Sequence, residues 1–257
     1  MLIDTHAHLY NSELENAEEI IEQCLKNNII IILNGIDKTS NLEVLELSKK
    51  YSNIYAAIGY DHSVVDEITD SDLEILEKQL KNDKVVAIGE IGLDYYWVKD
   101  NKEKQKNLFL KELKLAEKYN LPVIVHCRDA VQDTYDILKK TNLRGSIHCY
   151  SGSTEMAQEF IKLGFYIGID GPITFKNNKK QKEMIKKKDI NYILVETDSP
   201  YLTPEPYRGQ KNSSLNLKYI INAIANELLM NYNDVARLTT TNAKKLFNID
   251  IKEDKYD

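Results

Sequence analysis

Met1-Leu2-Ile3-Asp4-Thr5-His6-Ala7-His8 is a short apolar run that ends in two histidines one residue apart. Side chains alternate faces along a strand, so positions i and i+2 point the same way and aim two imidazoles at one point. The same grammar recurs down the chain. Val85-Val86-Ala87-Ile88-Gly89 ends in Glu90, and Pro122-Val123-Ile124-Val125 ends in His126. Gly145-Ser146-Ile147 ends in His148, and Tyr192-Ile193-Leu194-Val195-Glu196-Thr197 ends in Asp198. Five apolar runs thus finish on a side chain able to bind a metal, and the rest of the chain reads as a frame that gathers those ends.

The frame is regular. Ile29–Leu33, Ile54–Gly59 and Phe165–Ile169 complete a set of eight strand-like runs. Helical spacing fills the gaps over Ser12–Asn28, Thr39–Tyr51, Asp70–Lys81, Lys102–Tyr119, Ala130–Lys140, Ser153–Leu163 and Asn178–Lys188, and two further helices near Leu215–Leu229 and Asn233–Phe247 close the chain. Ser12 and Glu15 read as a capping box for the first helix, and Gly164 as the glycine that ends the sixth. Regular βα alternation predicts parallel strands. Eight units predict an α/β fold of the (β/α)8 TIM-barrel type, a single domain over residues 1–257, whose site lies at the C-terminal strand ends. Every candidate ligand lies at or just past such an end. An open doubly wound sheet needs a glycine-rich phosphate loop after its first strand, which His6-Ala7-His8-Leu9 is not.

Bulk composition narrows the function. No apolar run approaches the roughly 18 residues of a membrane span, and no basic region followed by an apolar stretch suggests a signal peptide. Three cysteines, Cys24, Cys127 and Cys149, in 257 residues point to reduced thiols and a cytoplasmic setting. The formal net charge of −6 excludes a protein that coats nucleic acid through bulk electrostatics. A phosphate-bearing substrate must be held locally, by metal ions and a few cationic side chains. Only Arg128, Arg144, Arg208 and Arg237 are arginine among 34 basic residues. Arg128 and Arg208, in loops after strands five and eight, are therefore candidate phosphate clamps.

Four of the five histidines sit at strand ends, joined by Glu90 and Asp198. His6, His8, His126, His148, Glu90 and Asp198 exceed what one catalytic zinc needs, namely three protein ligands and a water. They suit two divalent ions about 3.5–4 Å apart, with Glu90 as the natural bridge. The nitrogen and oxygen donors fit Zn, Mn, Mg, Co or Fe. Cys127 and Cys149 each follow a ligand directly, so alternation turns them outward into the core.

The chain resembles the TatD family of metal-dependent deoxyribonucleases, within the amidohydrolase-like TIM barrels. The likeness rests on Asp4-Thr5-His6-Ala7-His8-Leu9, Ile88-Gly89-Glu90-Ile91-Gly92-Leu93-Asp94-Tyr95, Val125-His126-Cys127-Arg128-Asp129-Ala130, His148-Cys149-Tyr150-Ser151-Gly152 and Glu196-Thr197-Asp198-Ser199-Pro200-Tyr201-Leu202. It implies that His6, His8, Glu90 and Asp198 bind one metal and that Glu90, His126 and His148 bind the second. It also implies hydrolysis of DNA phosphodiesters at single strands or ends, as a 3′-5′ exonuclease. The sequence itself shows no membrane segment and no stretch that calls for an obligate protein partner. The family pattern Gly-x-His-Pro is replaced here by Gly59-Tyr60-Asp61-His62, which leaves His62 as a candidate substrate contact without a family role.

In this reading Glu90 and Asp198 are the catalytic carboxylates, Asp198 orienting a water and taking its proton. Glu196, deeper on the same face, is expected to be a buried polar partner. Tyr95, Tyr96, Trp97 and Tyr201 share the loop layer and can stack a nucleobase. Lys176 and Lys179, from a run of seven lysines between Phe175 and Lys188, lie nearest the active face. The alternative is a two-metal barrel hydrolase of small esters, lactones or amides. Relatives of that kind bridge their metals with a modified lysine where this chain has Glu90.

Overall fold

A computed structural model describes residues 1–97 and 100–250. The strands are β1 (Leu2–Ala7), β2 (Ile29–Asn34), β3 (Ile54–Ile58), β4 (Val85–Asp94), β5 (Val123–Arg128), β6 (Gly145–Ile147), β7 (Phe165–Ile169) and β8 (Ile193–Val195). They form one sheet in sequence order, and each neighbouring pair is parallel. The helices are α1 (Ala17–Lys26), α2 (Lys38–Lys50), α3 (Asp70–Gln79), α4 (Lys102–Tyr119), α5 (Val131–Leu138), α6 (Thr154–Lys162), α7 (Lys179–Lys187), α8 (Leu217–Leu228) and α9 (Tyr232–Phe247). The result is a nearly closed (β/α)8 barrel, as the alternation predicts.

The ring is drawn together just past the ends of β1 and β8. Ala7 bridges Ser199, the His8 N–H donates to the Ser199 carbonyl at 2.6 Å, and the Asp198 N–H donates to the His6 carbonyl at 2.9 Å. The seam therefore passes through three of the residues singled out in the sequence.

Strand alternation sorts the core into two clusters. Ile31, Leu33, Val123 and Val125 pack in the larger one, which includes helix residues such as Ile21, Phe109 and Phe160. Ile3, Ile30, Ile32, Ile124 and Leu194 form a smaller one with Leu246 and Phe247 of α9. These strand residues lie toward the strand starts, so α9 stops the barrel interior at that end. The polar interior is left to the opposite, C-terminal end. Cutting a fully buried side chain such as Ile124 back to alanine removes its contacts and leaves a cavity, at a cost of about 2–5 kcal/mol.

The first helix departs from expectation. It starts at Ala17, and its N-cap Asn16 makes no side-chain cap. Ser12 is not a cap: its N–H and hydroxyl both donate to Glu43 Oε2, at 3.1 and 3.0 Å. Tyr10 and Leu14 are buried, and a tight turn between them ties this segment to the barrel mouth before a helix can begin. Gly164 does follow the sixth helix, with φ of 91°. No described helix is long and apolar enough to cross a membrane.

Candidate metal centre

The six predicted ligands converge at the C-terminal mouth. His6 and His8 bring their Nε2 atoms within 3.0 Å of each other. Glu90 Oε2 is 3.3 Å from both, and Asp198 Oδ1 is 3.4 Å from both. The other Glu90 oxygen, Oε1, is 2.7 Å from His126 Nδ1 and 2.9 Å from His148 Nε2. One carboxylate thus faces two imidazole pairs, one through each oxygen. His6, His8 and Glu90 form one group able to hold a metal ion, Glu90, His126 and His148 another, and His6, His148 and Asp198 a third.

Surrounding groups fix the rings. His8 Nδ1 lies 2.9 Å from the Asn34 carbonyl at the end of β2, which leaves Nε2 facing the centre. His126 Nε2 lies 3.0 Å from Asp94 Oδ2, which leaves Nδ1 facing Glu90. An outer carboxylate of this kind sets tautomer and ring orientation. Asp94 is fully buried and also accepts the Tyr96 and Trp97 N–H groups, at 2.8 and 2.9 Å. The apolar run that stops at Gly89 assigns Asp94 no role, although Asp94 lies four residues past Glu90; β4 runs on to Asp94.

The charges at the centre attract cations. Burial pushes the Glu90 carboxyl up, but the His6 charge and hydrogen bonds from His126 and His148 outweigh it and hold it well below the usual range. Burial is likewise outweighed at Asp198, by hydrogen bonds from His6 and His8, and its carboxyl stays ionised. In return the carboxylates overcome burial on the rings and raise His8 to about 9 and His126 to about 10, with His6 also raised well above its ordinary value. His148 goes the other way, lowered to about 4 by burial and by the His6 charge. Protons on three rings thus supply positive charge that a bound ion would supply instead, and ion binding releases them. The donor set and its pairing fit divalent metal.

Glu196 is fully buried, accepts the Cys149 N–H at 2.6 Å and the Thr5 hydroxyl at 3.3 Å, and is pushed up to about 8 by burial. It is a polar partner, as expected. Cys127 packs against the outer core cluster. Cys149 does not turn outward: β6 stops at Ile147, and Cys149 adopts φ of 44°, which breaks the alternation and sets its sulfur near Asp170 and Asp198. Asp170, just past β7, repeats the strand-end grammar that the sequence reading applied elsewhere and overlooked here.

A cleft of about 680 Å³ opens over the centre, lined among others by His62, Trp97, Arg128 and Tyr201. His62 stacks on His126, ring centroids 4.9 Å apart, with Nε2 3.7 Å from Asp94. The Arg128 guanidinium lies 4.1 Å from the Tyr96 ring centre and 5.3 Å from that of Trp97. Arg208 lies 4.2 Å over Phe175 and does not line the cleft. Tyr95 is buried, its hydroxyl donating to Asp133 at 2.8 Å, so it presents no free face for stacking. Lys176 and Lys179 are exposed.

Comparison with known proteins gives one consistent result. The family described as TatD related DNase matches residues 3–248. The metal-dependent hydrolase YabD of Bacillus subtilis, described as uncharacterized, is 41% identical, over 97% of this chain and 100% of that protein. The crystal structure of YJJV, a TatD homolog from Escherichia coli K12, superposes with a TM-score of 0.89 at 30% identity, covering 97% of this chain and 98% of that one. A TatD-family hydrolase structure from Entamoeba histolytica shares the fold, with a TM-score of 0.84 at 22% identity over 96% and 97% of the two chains.

Proposed function

We propose that this chain, a metal-dependent hydrolase that belongs to the TatD-related DNase family, cleaves DNA phosphodiester bonds at strand ends with two divalent ions. The observation that carries this reading is the split of the Glu90 carboxylate between His6 and His8 on one side and His126 and His148 on the other. In this proposal His6, His8, Glu90 and Asp198 hold one ion, and Glu90, His126 and His148 hold the second. Two ions sharing a carboxylate supply Lewis-acid polarisation and an acidified water when bound.

The chain's own groups do the rest. Asp198, ionised and at the mouth, orients the attacking water and accepts its proton. Asp94 keeps a proton on His126 Nε2 and so keeps Nδ1 free as a ligand. Arg128 and His62, both lining the cleft, contact substrate phosphates. Trp97 and Tyr201 expose ring surface at the rim, 67% and 49%, on which a base can stack. With a net charge of −6, DNA is held by these local contacts and not by a broad basic face. Digestion from the 3′ end and a cytoplasmic setting complete the proposal, the latter supported by three unpaired thiols.

The test sets end-labelled single-stranded DNA beside a chromogenic phosphodiester and a lactone, each with and without a chelator. DNA shortened from its 3′ end and protected by the chelator is the expected result. Turnover of the lactone with no cleavage of either phosphodiester, or cleavage indifferent to the chelator, would overturn it. Metal analysis of the purified chain decides among Zn, Mn, Mg, Co and Fe.

A further inference from the structure

Beside the Glu90 centre lies a second gathering of donor atoms, on the β6–β7–β8 side. Cys149 Sγ, an oxygen of Asp170 and an oxygen of Asp198 all lie within 4.8 Å of one another. Asp170 is fully buried, and neither of its oxygens has a hydrogen-bond partner among the described residues. No described lysine, arginine or histidine pairs with it either. With only the Cys149 thiol and the Gln181 side chain beside it as donors, a carboxylate so buried is costly unless it takes up a proton or a cation answers it. Glu196 next door is different, because the Cys149 N–H and the Thr5 hydroxyl satisfy it. A cavity of about 80 Å³ opens against Cys149 and Asp170, and Cys149 also borders the main cleft. That volume admits water.

We propose that Cys149, Asp170 and Asp198 form a further cation site, taking a borderline-soft divalent ion of the zinc class and completed by water. Three protein ligands and one open position match a four-coordinate zinc. A thiolate among the ligands selects against magnesium and calcium. As the sulfur–metal bond forms, the Cys149 thiol proton leaves to solvent, so charge and atoms balance. The site deepens the two-ion reading, on which it rests only in that Asp198 serves both.

The purified chain, stripped with a chelator and titrated with Co²⁺, tests this directly. Three equivalents are expected, one of them raising a near-ultraviolet thiolate-to-cobalt absorption. Cys149→Ser should remove that absorption and leave two equivalents, and Cys127→Ser should leave it intact. Asp170→Asn should weaken the thiolate-linked equivalent by about tenfold or more. The wild-type spectrum needs no variant to fold. Two equivalents with no thiolate absorption would overturn the further site and leave the Glu90 pair standing. An absorption that survives Cys149→Ser would overturn it as well. A single equivalent bound through Cys149, with none beside Glu90, would uphold the site and sink the two-ion reading.

Discussion

On the β1–β8 side of Glu90, His6 and His8 are held by main chain. The Asp198 N–H donates to the His6 carbonyl, the His8 N–H to the Ser199 carbonyl, and the Asn34 carbonyl sits 2.9 Å from His8 Nδ1. On the β4–β6 side His126 is held by a side chain, oriented by Asp94 and flanked by His62. His148 stacks on His6, ring centroids 4.0 Å apart, and its Nδ1 has no hydrogen-bond partner among the described residues. The first side is as rigid as the barrel seam and cannot be loosened without opening the fold. The second can be retuned one substitution at a time, and it is the side where the chain departs from its family pattern, at Asp61-His62.

The sharpest way to break this contrast is to remove what the two sides share. Glu90→Gln should abolish measurable hydrolysis and lower ion content on both sides, read by metal analysis and activity together. If both survive, the shared carboxylate is not the pivot. Asp198→Asn acts on the seam side. A rate loss of about 10²–10⁴ is expected for a missing general base, with the ion of His126 and His148 retained; a full rate with ions in place would refute the role. Asp94→Asn acts on the other side alone. It should weaken metal affinity or activity by about 10–100-fold, and an equal loss of both ions would show the two sides to be less separate than drawn here.

The smallest expected effect is on stability. Glu112 is fully buried beside the loop that carries Asp61 and His62, and its Oε1 accepts the Tyr60 N–H at 2.7 Å. Burial pushes its carboxyl well above the ordinary 4.5, so the folded chain holds it protonated. Its favourable contribution is complete below the unfolded value and is lost as pH rises through the folded one. Glu112→Gln keeps the acceptor and removes the titration. Thermal unfolding should show the variant level with the parent below pH 4.5 and more stable at pH 8, by about 2–4 °C for each kcal/mol the parent has lost.

The barrel and the six mouth residues were legible because both depend on periodicity. Apolar runs gave the strands, and i, i+2 spacing put His6 and His8 on one face. What escaped depends on where a strand stops. A strand that stops at Gly89 hides Asp94, which β4 carries to the mouth past a register shift between Ile88 and Ile91. Extending alternation through Cys149 turned the thiol the wrong way, because a positive φ there breaks the pleat. Asp170 follows Ile169 as His126 follows Val125, yet one carboxylate after a lone strand drew no notice without the neighbours that only folding supplies. Ser12 misled in the opposite sense: its spacing to Glu15 is that of a cap, but Glu43, distant in sequence, claims it.

The seam has a consequence for how the molecule comes into being. His6 and His8 are synthesised nearly two hundred residues before Asp198. A nascent chain holding the first seven strands has no partner for the Ala7 edge and no Asp198 at the mouth. Completion of the ring and completion of the reactive centre are one event, so no truncated product of synthesis inherits a working fraction of it.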